Sequence, residues 1–147
     1  MPAENNVAVV RTLFEAINNH QLDKAAALID DNAEWVDVAT GDTFRGPQGF
    51  RQLSESWWQA FPDNTIEITS LFADGELACV EYRGRGTFKG PLNWPSVKAR
   101  PTGRKLDVPF CDVYRIRNGK IVSAREYHDL ASMMNQLGVS LAVQKAA

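Results

Sequence analysis

The chain has 147 residues, 44% of them hydrophobic and 10% aromatic, enough apolar mass for one domain with a real core and no need of disulfide staples. A formal net charge of −2 and a pI near 5.7 argue against nucleic acid as a partner, because phosphate binding draws on a basic excess that is missing here. The two cysteines, Cys79 and Cys111, have neither the close spacing of a zinc site nor the density of a secreted scaffold. They are expected as buried thiols in strands.

The first residues, MPAENNVAVV, contain no basic stretch followed by a long apolar run, and no segment approaches the ~20 apolar residues that span a bilayer. A cytoplasmic protein without a membrane partner is the expectation. In residues 6–18, Val7, Val10, Leu13, Phe14 and Ile17 form one apolar stripe, predicting an amphipathic helix with Asn5 or Asn6 as its cap. A shorter helix follows over 22–30, and the alternation of EWVDV at 34–38 predicts a strand with Trp35 and Asp37 on one face. After the loop ATGDTFRG, Pro47 marks the first turn of a third helix, along which Phe50, Leu53, Trp57 and Phe61 recur before Pro62. Trp57 and Trp58 are adjacent, so one is expected in the core and the other at an edge or pocket mouth.

Residues 64–73 and 76–88 read as two long strands joined at Asp74-Gly75. The second strand places Val80, Tyr82, Gly84, Gly86 and Phe88 on one face, where the glycines leave space beside Tyr82. Residues 89–104 form a loop of the length used for lids and binding loops. Arg83, Arg85, Lys89, Lys98, Arg100, Arg104 and Lys105 gather basic charge around it, but interleaved prolines and glycines suit a solvated rim better than a groove.

The richest stretch is KLDVPFCDVYRIRNGKIVSAREYHDLASMMNQLG at 105–138. Two β-rich runs flank Asn118-Gly119, a tight-hairpin signal. With these two residues at the centre of a type I′ turn, Arg117 faces Lys120, and counting outward puts Asp112 opposite Arg125, Phe110 opposite Tyr127 and Val108 opposite Asp129. Tyr114, Ile116, Ile121 and Ser123 share that face, whereas Cys111, Val113, Ala124, Glu126 and His128 lie on the other. The first face is then an apolar wall with a few convergent polar groups, as a small-molecule pocket requires. A structural Asp112–Arg125 pair and a helix-capping Asp129 would give the same pattern without catalysis. Leu130, Met133, Met134 and Leu137 predict a last helix stopped by Gly138, with SLAVQKAA as a frayed tail. No repeat, low-complexity run or linker divides residues 1–147, so a single domain is expected.

Helix, helix, strand, helix and an antiparallel meander make an α+β pattern. Together with RGTFKG at 85–90, PTGRKLDVPFCDVYRIRNGKI at 101–121 and the ending REYHD followed by QLG, it resembles the nuclear transport factor 2-like superfamily, especially SnoaL-like polyketide cyclases. The resemblance implies a cone-shaped α+β barrel whose curved sheet wraps a pocket closed by the N-terminal helices, and a homodimer. It also implies that Asp129 stands where such cyclases carry their acid/base aspartate. Ketosteroid isomerase is similar at Asp37, its proton-shuttling position, and at Asp112, its oxyanion donor.

The functional expectation is an acid/base enzyme without cofactor or metal, acting on a small or medium apolar carbonyl compound by aldol-type cyclisation, isomerisation or dehydration. Asp129 is the expected base, Asp37 the second choice, and Tyr82, Tyr127 or a protonated Asp112 the donors. Arg125, Trp35, Phe110, Tyr114, Trp57 and Phe88 complete the expected pocket. The alternative is a non-catalytic ligand-binding or dimerisation domain of the same fold.

Overall fold

The structure is a computed structural model and describes residues 3–140; the remainder of the expected frayed tail, 141–147, lies outside them. Helix α1 runs Ala3–Asn18, longer at its start than the apolar stripe suggested. Asn6 is consequently not a cap: it is buried inside the helix and its amide donates to the Gly75 carbonyl at 2.8 Å. Helix α2 is only Leu22–Ala26, because Ile29 is already in strand β1, Ile29–Asp37, paired with Ile121. Strand β2, Thr43–Arg45, occupies part of what reads as a loop in the sequence. Helix α3, Gly46–Ala60, carries Pro47 in its first turn as expected.

Strands β3, Thr65–Asp74, and β4, Leu77–Thr87, form the first long hairpin, with Gly75 at φ +58° in its turn. The loop that follows folds back as a small two-stranded unit, β5 Leu92–Asn93 against β6 Lys98–Ala99, and buries Leu92 and Trp94. Strands β7, Lys105–Arg117, and β8, Lys120–His128, flank Asn118 and Gly119, whose φ values of 50° and 75° are those a type I′ turn demands. Helix α4, Leu130–Leu137, ends at Gly138 in the left-handed conformation, as a C-terminal glycine stop requires.

The main sheet has the order β2-β1-β8-β7-β4-β3; β1 and β8 run parallel and the other neighbours antiparallel. Its inner face is covered by α1 lying on β3 and β4 and by α3 lying on β1, while α4 packs on β7. This is the α+β, mostly antiparallel curved sheet that the sequence led us to expect. The buried apolar residues between sheet and helices form one cluster, with Leu13, Phe14, Trp35, Phe50, Tyr82, Phe110 and Tyr114 near its centre.

One irregularity decides what faces that core. The hairpin register holds for Arg117 opposite Lys120 and Ile116 opposite Ile121, but Arg115 then pairs with Ser123. Val122 is therefore an extra residue, a β-bulge, and beyond it every β8 side chain points to the face opposite to that counted from the turn. Asp112 is opposite Glu126, not Arg125, and Phe110 is opposite His128, not Tyr127. Arg125 and Tyr127 lie exposed on the outer face, where the Arg125 guanidinium donates to the Tyr127 hydroxyl at 3.2 Å. The expected pairing of Asp112 with Arg125, and the place of Arg125 and Tyr127 in the pocket wall, are corrected accordingly.

Candidate active site

Because β1, β8 and β7 are neighbours, the register sets Asp37 beside Glu126 and Glu126 beside Asp112. Three acids thus stand in one row across the inner face of the sheet. Their exposures are 7%, 5% and 1% respectively, so none has the hydration that ordinarily stabilises a carboxylate. The rows on either side bring Trp35, Ala124 and Tyr114 together on one flank and His128, Phe110 and Tyr82 together on the other.

Each acid has a distinct set of partners. Asp112 accepts hydrogen bonds from the Tyr114 hydroxyl at 2.6 Å and from the Tyr82 hydroxyl at 3.2 Å. Glu126 Oε2 accepts from the Trp35 indole N–H at 3.2 Å. Asp37 Oδ1 lies 2.9 Å from His128 Nε2 and also accepts the backbone N–H of Ala39 and Thr40 at 3.0 and 3.3 Å. The His128 side chain is fully buried, and its Nδ1 has no hydrogen-bonding partner.

The electrostatics follow from burial and from that crowding of like charges. Desolvation raises the Asp112 carboxyl to about 7; the two tyrosine hydroxyls pull it down and the charge of Asp37 pushes it up. Desolvation, followed by the charges of Asp112 and Asp37, raises Glu126 to about 8, against the opposing pull of His128 and the Trp35 N–H. Burial by itself would lower His128, but the hydrogen bond and charge of Asp37, with Glu126 and Asp129, hold it above the ordinary histidine value. Burial and the Asp112 charge push Tyr82 and Tyr114 well above the ordinary phenol value, so both remain neutral donors. Burial and mutual repulsion thus favour the protonated forms of the neighbouring Glu126 and Asp112.

Two acids of the row, Glu126 and Asp112, line a cavity of about 70 Å³ whose walls include Phe14, Trp35, Phe50, Trp57, Phe110, Tyr82 and Tyr114, whereas Asp37 does not line it. Trp57 and Trp58 both line it, and Trp58 stacks on His20 with ring centroids 4.4 Å apart. Phe88 is elsewhere: fully buried, it packs on Phe61 at 5.6 Å and does not line the cavity. Asp129 is also outside. It is exposed and caps α4, accepting the Ser132 backbone N–H at 3.0 Å and the Ser132 hydroxyl at 2.8 Å, bonds that hold its carboxyl below the ordinary aspartate value.

Of the residues singled out from sequence, the structure brings Asp37, Asp112, Tyr82, Tyr114, Trp35 and Phe110 to the inner face of the sheet, with Trp57 packed on Phe110 from α3. Glu126 and His128, missed in the sequence reading, are the additions. The one hint was that Ile121 and Ala124 are both apolar yet three apart, a break in the period of two that a bulge explains. Asp37, Glu126 and His128 each offer a ligand atom, these atoms lying within 4.8 Å of one another, so this corner has a donor set that could hold a cation. Among the described residues, no helix is long and apolar enough to cross a membrane.

The same arrangement of sheet and helices recurs in solved structures. A candidate SnoaL-like polyketide cyclase from Jannaschia sp. CCS1 superposes with a TM-score of 0.81 at 18% identity, over 95% of each chain. IdmH of Streptomyces antibioticus, a candidate polyketide cyclase, gives 0.73 at 26% identity over 90% of this chain and 97% of its own. A ketosteroid isomerase-like protein from Catenulispora acidiphila, solved with trimethylamine, gives 0.74 at 20% identity over 90% and 93%. No curated protein matches the sequence significantly. Residues 10–124 match the SnoaL-like domain, and with most of its length inside that match, the chain belongs to the SnoaL-like family.

Proposed function

We propose that this protein is an acid/base enzyme, independent of cofactors, that acts on a small or medium apolar carbonyl compound by aldol-type cyclisation, isomerisation or dehydration. The observation that carries the reading is the buried Asp37–Glu126–Asp112 row, two of whose acids line an apolar cavity. Such chemistry needs one group to remove an acidic C–H proton beside a carbonyl and another to donate to the enolate oxygen. Two carboxyls sharing one proton supply both.

In this reading Asp112 is the base, steadied by Tyr82 and Tyr114. Glu126, whose carboxyl burial also raises, is the donor, oriented by Trp35. Burial, then the charges of Asp112 and Asp37, keep Glu126 neutral, with His128 opposing them. The base is thereby assigned to Asp112 instead of Asp129, whose oxygens are committed to Ser132. Membership of a family whose structural neighbours carry polyketide-cyclase and ketosteroid-isomerase names supports the reaction class.

Proton exchange tests the chemistry without a known substrate. The protein is incubated in D₂O with a panel of apolar β-keto esters and 1,3-diketones, and loss of the α-proton signal is followed by NMR. Exchange should exceed the buffer rate for at least one compound and fall ~10²–10⁴-fold in Asp112→Asn. A compound that binds in the cavity, seen as a change in tryptophan fluorescence, but never exchanges would favour the ligand-binding alternative.

A further inference from the structure

We propose that Cys79 and Cys111 form a reversible intramolecular disulfide on the outer face of the sheet, making this a dithiol modification site behind the acid row. The sequence suggested two separate buried thiols. Instead both are partly exposed, and their Sγ atoms lie 3.7 Å apart. Cys79 is paired with Val113 and Cys111 with Glu81, so the cysteines are diagonal neighbours on adjacent strands, β4 and β7, with their side chains turned toward each other. Closing the bond brings the sulfurs from 3.7 Å to the ~2.05 Å of a disulfide.

The environment of Cys111 orders the reaction. Burial, and next the hydrogen bond and charge of Cys79, raise the Cys111 thiol to about 11, so Cys111 is seldom a thiolate at neutral pH and is the slower nucleophile. With a low-molecular-weight disulfide such as glutathione disulfide as oxidant, the Cys79 thiolate attacks one sulfur, forms a mixed disulfide and expels one glutathione thiolate. The Cys111 thiolate then attacks the Cys79 sulfur and expels the second. The balance is two protein thiols and one glutathione disulfide giving one protein disulfide and two glutathione thiols.

Both thiols being partly exposed, the bond is open to reductants as well as to oxidants. This suits a bond that is made and broken more than a permanent staple. Its position gives it reach, because Phe110 and Asp112, on either side of Cys111, both line the cavity. The bridge would also close a loop spanning 32 positions, one that includes β5 and β6, and so restrict the unfolded chain.

The test treats the full-length reduced protein with glutathione disulfide at pH 8 and reads intact mass and a non-reducing peptide map. The expected product has lost two hydrogens, carries no glutathione, joins the Cys79 and Cys111 peptides within one chain, melts a few degrees higher and returns to the starting mass with dithiothreitol. Cys79→Ser and Cys111→Ser should each instead retain one glutathione. Wild-type protein holding stable glutathione adducts, or joined between chains, would overturn the proposal. So would wild type that stays reduced when folded yet oxidises under the same conditions in urea.

Discussion

At the scale of single residues, position relative to solvent separates the acids more sharply than their identity. Asp129 is exposed and hydrogen-bonded to Ser132, a helix cap. Asp129→Ala should cost ~0.5–2 kcal/mol in urea unfolding and Asp129→Asn much less, since asparagine caps nearly as well. Neither should change α-proton exchange, and a large loss of exchange in the stable Asn variant would return the base to Asp129. Asp112 is the opposite case, buried and held by two phenols. Tyr114→Phe removes the 2.6 Å donor to Asp112, and because that bond favours the charged carboxylate, its loss raises the Asp112 pKa further. The acid limb of the pH–rate profile should therefore move to higher pH, while a limb that stays in place would separate Asp112 from the rate.

At the scale of elements, the turns were legible and the bulge was not. Asn118-Gly119 and Gly138 announce themselves because few residues tolerate positive φ, and the structure has both where the sequence puts them. Val122 carries no such mark, since valine suits any strand position. Yet that one residue exchanges Arg125 and Tyr127 for Glu126 and His128 at the inner face, and hence sets a second acid, not a counter-charge, opposite Asp112. Glycine in β4 has a similar local logic. A Cβ on Gly84 would meet the Phe110 ring at 2.8 Å, and Phe110 stacks on Tyr82 at 5.1 Å. Gly84→Ala should thus cost ~1–3 kcal/mol by overpacking and weaken apolar ligands, both measurable by thermal melts with and without ligand; an unchanged pair of melts would show that the ring yields freely.

At the scale of the whole molecule, periodicity and turn chemistry revealed the α+β architecture, whereas the chemistry of the site depends on which strands become neighbours. Asp37 and Glu126 meet only because β1 lies parallel to β8, a pairing between distant segments that no local pattern specifies. The cavity of about 70 Å³ is far below the ~300–1,000 Å³ of small-molecule sites, so a ligand must displace wall residues. The half-buried Trp57 and Trp58 are placed to move, and binding should change tryptophan emission. The acid row also sets how stability varies with pH. Asp112, Glu126 and His128 all have folded-state pKa values raised above their ordinary values, so these three groups bind more protons in the folded chain, and the stability they contribute is lost as pH rises from about 4 to about 8. Glu126→Gln should melt higher than wild type at pH 9 and lose that advantage at pH 4; an advantage independent of pH would mean that Glu126 is ordinary. The most direct measurement is a ¹³C NMR titration of the side-chain carboxyls of the intact protein. The account predicts that Asp112 and Glu126 titrate as a coupled pair near neutrality, at about 7 and about 8, and two carboxyls both ionising near their ordinary values of about 4 would contradict it.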